Sequence, residues 1–216
     1  MGSIVAQTLV DRAAKIVQDE TKVRWPDAEW ILWLNDGQRE TVLKRPDAFT
    51  KSITHTLTVS ETKQTIPTDG IRVIDVLRNN GATKTAIRNI KREILDDQIP
   101  DWHYVGASAV VKWFCYDDRD PTRFYVYPVQ PGSSPGSVEL VYSAAPADVL
   151  IGAAIAIPDV FANALVDYCL YRAYQKDASY AANDARAAAA WGAFTQSLIA
   201  NAQADTHFSA TGKENR

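Results

Sequence analysis

The sequence is poor in residues that build sites by themselves. Two cysteines, Cys115 and Cys169, stand far apart in 216 residues, too few for a disulfide framework or, alone, for a metal site. Both are expected as buried thiols, because free cysteine is among the most buried residue types. The three histidines, His55, His103 and His207, lack a second histidine or cysteine at metal-ligand spacing. Basic residues are not in excess: 23 Lys and Arg face 26 Asp and Glu, a formal charge of −3, which argues against nucleic-acid binding by bulk attraction. No apolar run approaches the ~20 residues of a membrane span. The first residues lack a basic region leading into an apolar core, and Ala6 stands where a myristoylation motif wants Ser or Thr. Synthesis in a reducing cytoplasm is the expectation. With 46% hydrophobic residues, the chain has enough apolar material for one domain or two small ones.

Signatures of catalysis are also missing. There is no Walker-type loop, no G-x-G-x-x-G after a strand and no G-x-S-x-G elbow. Asp96, Asp97 and Asp101 in "LDDQIPDWH" supply carboxylates for a glycosidase pair or a divalent cation, but the stretch lacks the glycine-punctuated ladder of a calcium loop and reads as a solvated turn. His103 beside Asp101 reads as a turn residue between aromatic anchors. Cys115, in the apolar strand "VVKWFCY", reads as core packing.

What is present is patterned. Residues 3–18 are predicted as an amphipathic helix, with Val5, Leu9, Ala13 and Ile16 on one stripe and Ser3 as its cap. "RWPDAEWILWLNDGQRETVLKR" contains an Asn-Asp-Gly turn signal, but its flanks do not alternate as a hairpin requires. At helical spacing Trp30, Leu34, Gly37 and Thr41 share a face, so residues 26–45 are predicted as one helix opened by Pro26. Gly37 on the apolar face suggests close approach of another backbone. Leu32 and Leu43 fall on the opposite side, beside Asp36 and Arg39, so the helix is either deep in its own fold or shared with a neighbouring subunit.

Strands are predicted at 52–59, 71–79, 108–116, 123–129 and 137–143, rich in β-branched and aromatic residues and divided by turn chemistry. Residues 85–97 suit an edge strand followed by a short helix. Tyr125 and Tyr127 alternate with Phe124 and Val126, the one feature favouring a binding face. From Pro158 the pattern is helical again, with a break near 177–180 and a second stripe through Tyr180, Ala187, Trp191, Phe194 and Leu198. Arg172 sits on an apolar stripe and is expected to find an acidic partner on another helix or subunit. The expected fold is α+β: a helical bundle from residues 1–50 and 146–202, an inserted antiparallel β-rich subdomain at 51–145, and an extended, polar C-terminal tail at 203–216.

The succession "RWPDAEWILWLNDGQRE", "IPTDGIRVIDVLRNN", "REILDDQIPDWH", "FYVYPVQPG", "VELVYSAAP" and "LVDYCLYRAYQKDASYAANDARAAAAWGAFTQSL" resembles the head-to-tail adaptor (connector) proteins of tailed bacteriophages over roughly residues 3–200. The resemblance implies a non-enzymatic virion protein without cofactors, about twelve copies in a ring closed head to tail. It implies a portal protein above, a tail or nozzle protein below, double-stranded DNA passing without sequence recognition, and no membrane. The C-terminal segment would reach the portal through Thr206, His207, Phe208, Lys213 and Arg216, and subunits would meet through Leu32, Asp36, Arg39, Leu43 and Arg172. A β-domain module binding a host-surface glycan or another tail protein is the alternative.

Overall fold

The computed structural model describes residues 2–82, 84–177 and 182–208, with side chains to residue 199. The chain divides into two compact units: Met1–Ala48 together with Pro146–Arg216, and Phe49–Ala145.

The first unit is helical. α1 (Ala6–Ile16), α2 (Asp27–Lys44), α4 (Ala162–Lys176) and α5 (Ala182–Phe208) belong to it, and α4 is the hub against which the other three pack. α2 buries the face expected of it, with Trp30, Leu34 and Thr41 at 0% exposure. Trp25, Trp30 and Trp33 pack edge to face, ring centroids 5.1 to 6.3 Å apart, the offset geometry that aromatic quadrupoles favour. Gly37 meets a side chain rather than a backbone: a Cβ there would stand 3.0 Å from the Tyr168 ring and 3.3 Å from Leu165. Tyr168 in turn packs against Phe194 and Trp191 of α5.

Ser3 does not cap α1. Val5 holds that position, because residues 4–7 are drawn into backbone pairing with 151–155: Ala6 N–H donates to Ala153 O and Ile155 N–H to Ile4 O. Ser3 instead donates through its backbone N–H and hydroxyl to the Asp159 carboxylate, at 2.8 and 2.6 Å. These donors hold the Asp159 carboxyl below its ordinary pKa.

The second unit holds two sheets. β1 (Thr50–Thr56), β7 (Ser137–Ala144) and β3 (Gly70–Asn79) form an antiparallel sheet in the order β1-β7-β3. β2 (Lys63–Thr65), β6 (Arg123–Tyr127), β5 (Trp113–Tyr116) and β4 (Arg88–Asn89) form the other, in the order β2-β6-β5-β4. The expected strand at 108–116 shortens to β5, and β2 was not foreseen. β4 runs parallel to β5, so the unit is mixed rather than wholly antiparallel. The physical reason is the connection: α3 (Arg92–Gln98) lies between them, and a crossover of that length permits parallel pairing where a tight turn does not.

Three buried amides tie down the irregular segments. Asn79 Nδ2 donates to Thr85 O and Val111 O, and its Oδ1 accepts from Val111 N–H. Gln64 accepts from Thr58 N–H, and Gln130 accepts from Gly136 N–H and donates to Ser108 O. Each satisfies backbone groups that the ladders leave open, and those of Val111 are buried.

The expected division into two helices is seen, while the C-terminal end departs from expectation. α4 ends at Lys176 with Asp177 as its C-cap, and a separate α5 opens at Ala182. α5 then continues to Phe208, so Thr206, His207 and Phe208 are helical rather than extended. Alanine-rich sequence such as Ala200-Asn201-Ala202-Gln203-Ala204 favours helix by propensity, without an apolar stripe. Lys213 and Arg216, like Ser179 and Tyr180, lie outside the described residues.

Candidate functional site

Positions 32, 36, 39 and 43 recur at i, i+4, i+7 and i+11, one line along a helix. On α2 that line is not deep in the fold. Leu32 is 60% exposed and Leu43 67%, which removes the reading of α2 as buried on both faces. Between them Arg39 donates to Asp36 at 2.8 Å and to Asp148. Leu150, two residues beyond Asp148, is 79% exposed. Solvent-exposed leucines around an ion trio are the composition of a surface that gains by being covered.

This surface stands on a braced segment. Asn35 and Gln38, one turn apart on the buried side of α2, hold residues 149–157 by their amides. Asn35 Nδ2 donates to Val149 O at 3.1 Å while its Oδ1 accepts from Val149 N–H at 3.0 Å, the pattern of a strand partner made by a side chain. Gln38 Oε1 accepts from Ala156 N–H at 2.7 Å, and its Nε2 donates to Asn35 Oδ1 at 3.1 Å. Sequence reading missed both, along with Asp148 and Leu150. The signal available was two amides at i, i+3 on an apolar helix face, since a buried amide needs a partner.

Arg172 finds its described partner on its own helix, and an acidic partner on a neighbouring subunit is untested by a single chain. It is half-buried, and its Nη1 reaches Gln175 Oε1 of its own helix at 3.5 Å. Among the described residues it pairs with no carboxylate; its helix position on the α4 surface leaves the side chain free to lie along its own turn. It stands on α4 rather than on the α2 line of Leu32, Asp36, Arg39 and Leu43. Thr206, His207 and Phe208 lie at the end of α5.

The residues of the alternative chemistries are either engaged elsewhere or exposed. Asp96 accepts from Trp102 Nε1 at 2.8 Å and pairs with Arg92 at 3.4 Å. Asp97 and Asp101 are exposed. His103 stacks on Trp102, with centroids 3.7 Å apart, and its Nδ1 bonds Thr62 Oγ1 at 2.7 Å. Burial, with the Arg92 charge, lowers its pKa. Phe124 and Val126 point into the core, as alternation predicts. Tyr125 and Tyr127 face the other way, but there they pack with Trp113, Ile90 and Ile99 around Leu95, Trp102 and Cys115. They are half-buried rather than an open stacking platform. Burial pushes the Cys115 thiol up to about 11 and the Cys169 thiol to about 12, far from the thiolate that reacts or binds metal. Among the described residues no group of three or more His, Cys, Asp or Glu is arranged to hold a metal ion, and no helix is long and apolar enough to cross a membrane.

The comparisons agree with the earlier resemblance at the level of family. The family model described as SU10 adaptor protein matches residues 6–213, nearly the whole chain and both of its units. No curated protein gives a significant match. The extent of that match establishes that the chain belongs to the SU10 adaptor protein family, structural adaptors of the bacteriophage particle that interact with other head and tail proteins.

Proposed function

We propose that the chain is one subunit of a head-to-tail ring that joins the portal to the tail and surrounds the passage for double-stranded DNA. The observation that carries this reading is the α2 line. Its two leucines stand exposed in the single chain, while Arg39 between them is already paired. Covering each leucine is worth about 1–2 kcal/mol given the exposure that remains to be lost. The ion trio made within the chain keeps the Arg39 guanidinium paired at such an interface and leaves the excess negative charge of two carboxylates for a partner to meet. In a closed ring the contact is heterologous, one face of a subunit meeting a different face of the next. The α5 end and the residues after it, from 203 to 216, dock on the portal.

The test is mass by light scattering, on the wild-type chain alone and mixed with the portal protein of the same particle. A ring-sized species is expected, and Leu32→Glu with Leu43→Glu is expected to abolish it while leaving the helical circular dichroism intact. Removal of residues 203–216 is expected to spare folding and remove portal binding. A chain that stays monomeric beside the portal overturns the ring, and portal binding that survives the truncation overturns the role of the C-terminal segment.

A further inference from the structure

A head-to-tail ring requires a second surface on the same chain to receive the α2 patch. We infer that this surface is the cleft around Arg186, so that Leu150 and the Asp36–Arg39–Asp148 trio of one copy seat against Arg186 and Arg24 of the next. The inference rests on the ring reading above and names both halves of its contact.

The cleft has a volume of about 470 Å³ and is bounded by Arg24, Trp25, Tyr174, Asp177, Asn183 and Arg186. It is built from three stretches distant in sequence: the loop before α2, the end of α4 and the start of α5. Both guanidiniums lie over aromatic rings, Arg24 at 4.9 Å from the Trp25 centroid and Arg186 at 5.8 Å from that of Tyr174. Stacking of this kind holds a planar cation in place without neutralising it. Asp177, the one carboxylate among the described residues of the cleft, is already committed: it pairs with Arg24 and accepts from Asn183 Nδ2 at 2.8 Å. Arg186 is exposed and makes no ion pair among the described residues. The cleft therefore carries one guanidinium more than it has carboxylates.

The α2 patch is its complement. Asp36 and Asp148 share the single Arg39, leaving one carboxylate in excess. Leu150 beside Asp148 is among the most exposed apolar side chains of the chain, at 79%. The cleft offers aromatic walls for such a side chain, and Val23, adjacent to Arg24, is 84% exposed as a further apolar edge. The two sets share no residue, as a heterologous contact demands. Opposite charge across them favours this pairing over patch against patch or cleft against cleft, where like charges would meet.

The test uses the full chain under whichever condition, alone or with the portal, assembles the wild type. Arg186→Glu and Asp148→Lys are each expected to raise the concentration for half-assembly by about tenfold or more, as like charges are brought together. A one-to-one mixture of the two variants is expected to assemble again. Alternation of the two chains sets the introduced lysine against the introduced glutamate at one contact and restores the native Asp148–Arg186 pair at the next. Assembly by Arg186→Glu alone, or failure of the mixture when both chains melt like the wild type, overturns the pairing. Should either reversal lower the melting temperature, Arg186→Gln and Asp148→Asn are read as a double-mutant cycle, where coupling supports the contact and additivity overturns it. A wild type that never assembles overturns the ring reading itself.

Discussion

Gln38→Met isolates what the buried amides of α2 contribute. Methionine matches glutamine in length and in helix propensity, so neither shape nor helix formation changes much. What is lost is chemical. Ala156 N–H loses its acceptor at 2.7 Å, Ile157 N–H a longer one at 3.4 Å, and Asn35 Oδ1 one of its donors. Gln38 is 1% exposed, so water does not replace these partners while the fold holds. One orphaned donor costs about 1–3 kcal/mol, and the thioether recovers part of that by burying better than an amide, which leaves a net loss of about 2 kcal/mol. Urea unfolding followed by tryptophan fluorescence measures it, as a lower midpoint at unchanged slope for the transition of the helical unit. Hydrogen exchange at Ala156 and Ile157 supplies a local readout and is expected to accelerate by the same free energy. A midpoint within about 0.5 kcal/mol of the wild type, with exchange unchanged, would refute the argument that this side chain holds residues 149–157 to α2.

Two further outcomes are expected. Gly37→Ala gains about 1 kcal/mol of helix propensity, but its Cβ meets Tyr168 at 3.0 Å, and that ring is held by Phe194 and Trp191. Gly192→Ala makes the same exchange with nothing within 4 Å. Thermal melts are expected to rank Gly192→Ala above the wild type and Gly37→Ala below it, and the reverse order would show that Tyr168 yields freely. Asp69 accepts from Lys51 Nζ at 2.6 Å and from Tyr142 Oη at 3.0 Å, with the Lys51 bond first among the causes that hold its pKa below the ordinary value. Its contribution to stability is therefore present above the unfolded carboxyl value of about 3.9 and is lost as pH falls through the lower folded value. Melting curves of the wild type and Asp69→Asn are expected to differ at pH 6 and converge toward about pH 2, and curves that stay parallel would remove Asp69 from the acid limb.

The helical period of α2 was legible because burial there follows side-chain spacing alone: Trp30, Leu34, Gly37 and Thr41 point one way, and Leu32, Asp36, Arg39 and Leu43 the other. Whether that second face was covered was not legible, since it depends on what the rest of the chain brings near. The partners of Asn35 and Gln38 lie more than a hundred residues away, beyond the reach of local pattern. β2 is three polar residues, Lys63-Gln64-Thr65, of which only Gln64 is buried, so no alternation of apolar residues marks it. The parallel pairing of β4 with β5 is likewise a matter of connection rather than composition. The end of α5 went unread for the opposite reason: its helix rests on alanine propensity, which leaves no stripe to find. The exposed patch was half visible, because the α2 line is local and Asp148 and Leu150 reach it only through the braced segment.

The β-rich excursion begins and ends at one place. Ala144 N–H donates to Phe49 O at 3.0 Å, and Thr50 stands opposite Ser143 in the ladder. The excursion thus fastens its own mouth. Seen from the helices, everything between Phe49 and Ala145 counts as one short link, and the entropy of closing it depends on that clasp rather than on the length beyond it. Residues can be added or lost among the distal turns with no change in the tether that the helices feel, so selection on what the β strands touch is uncoupled from selection on what the helices hold together.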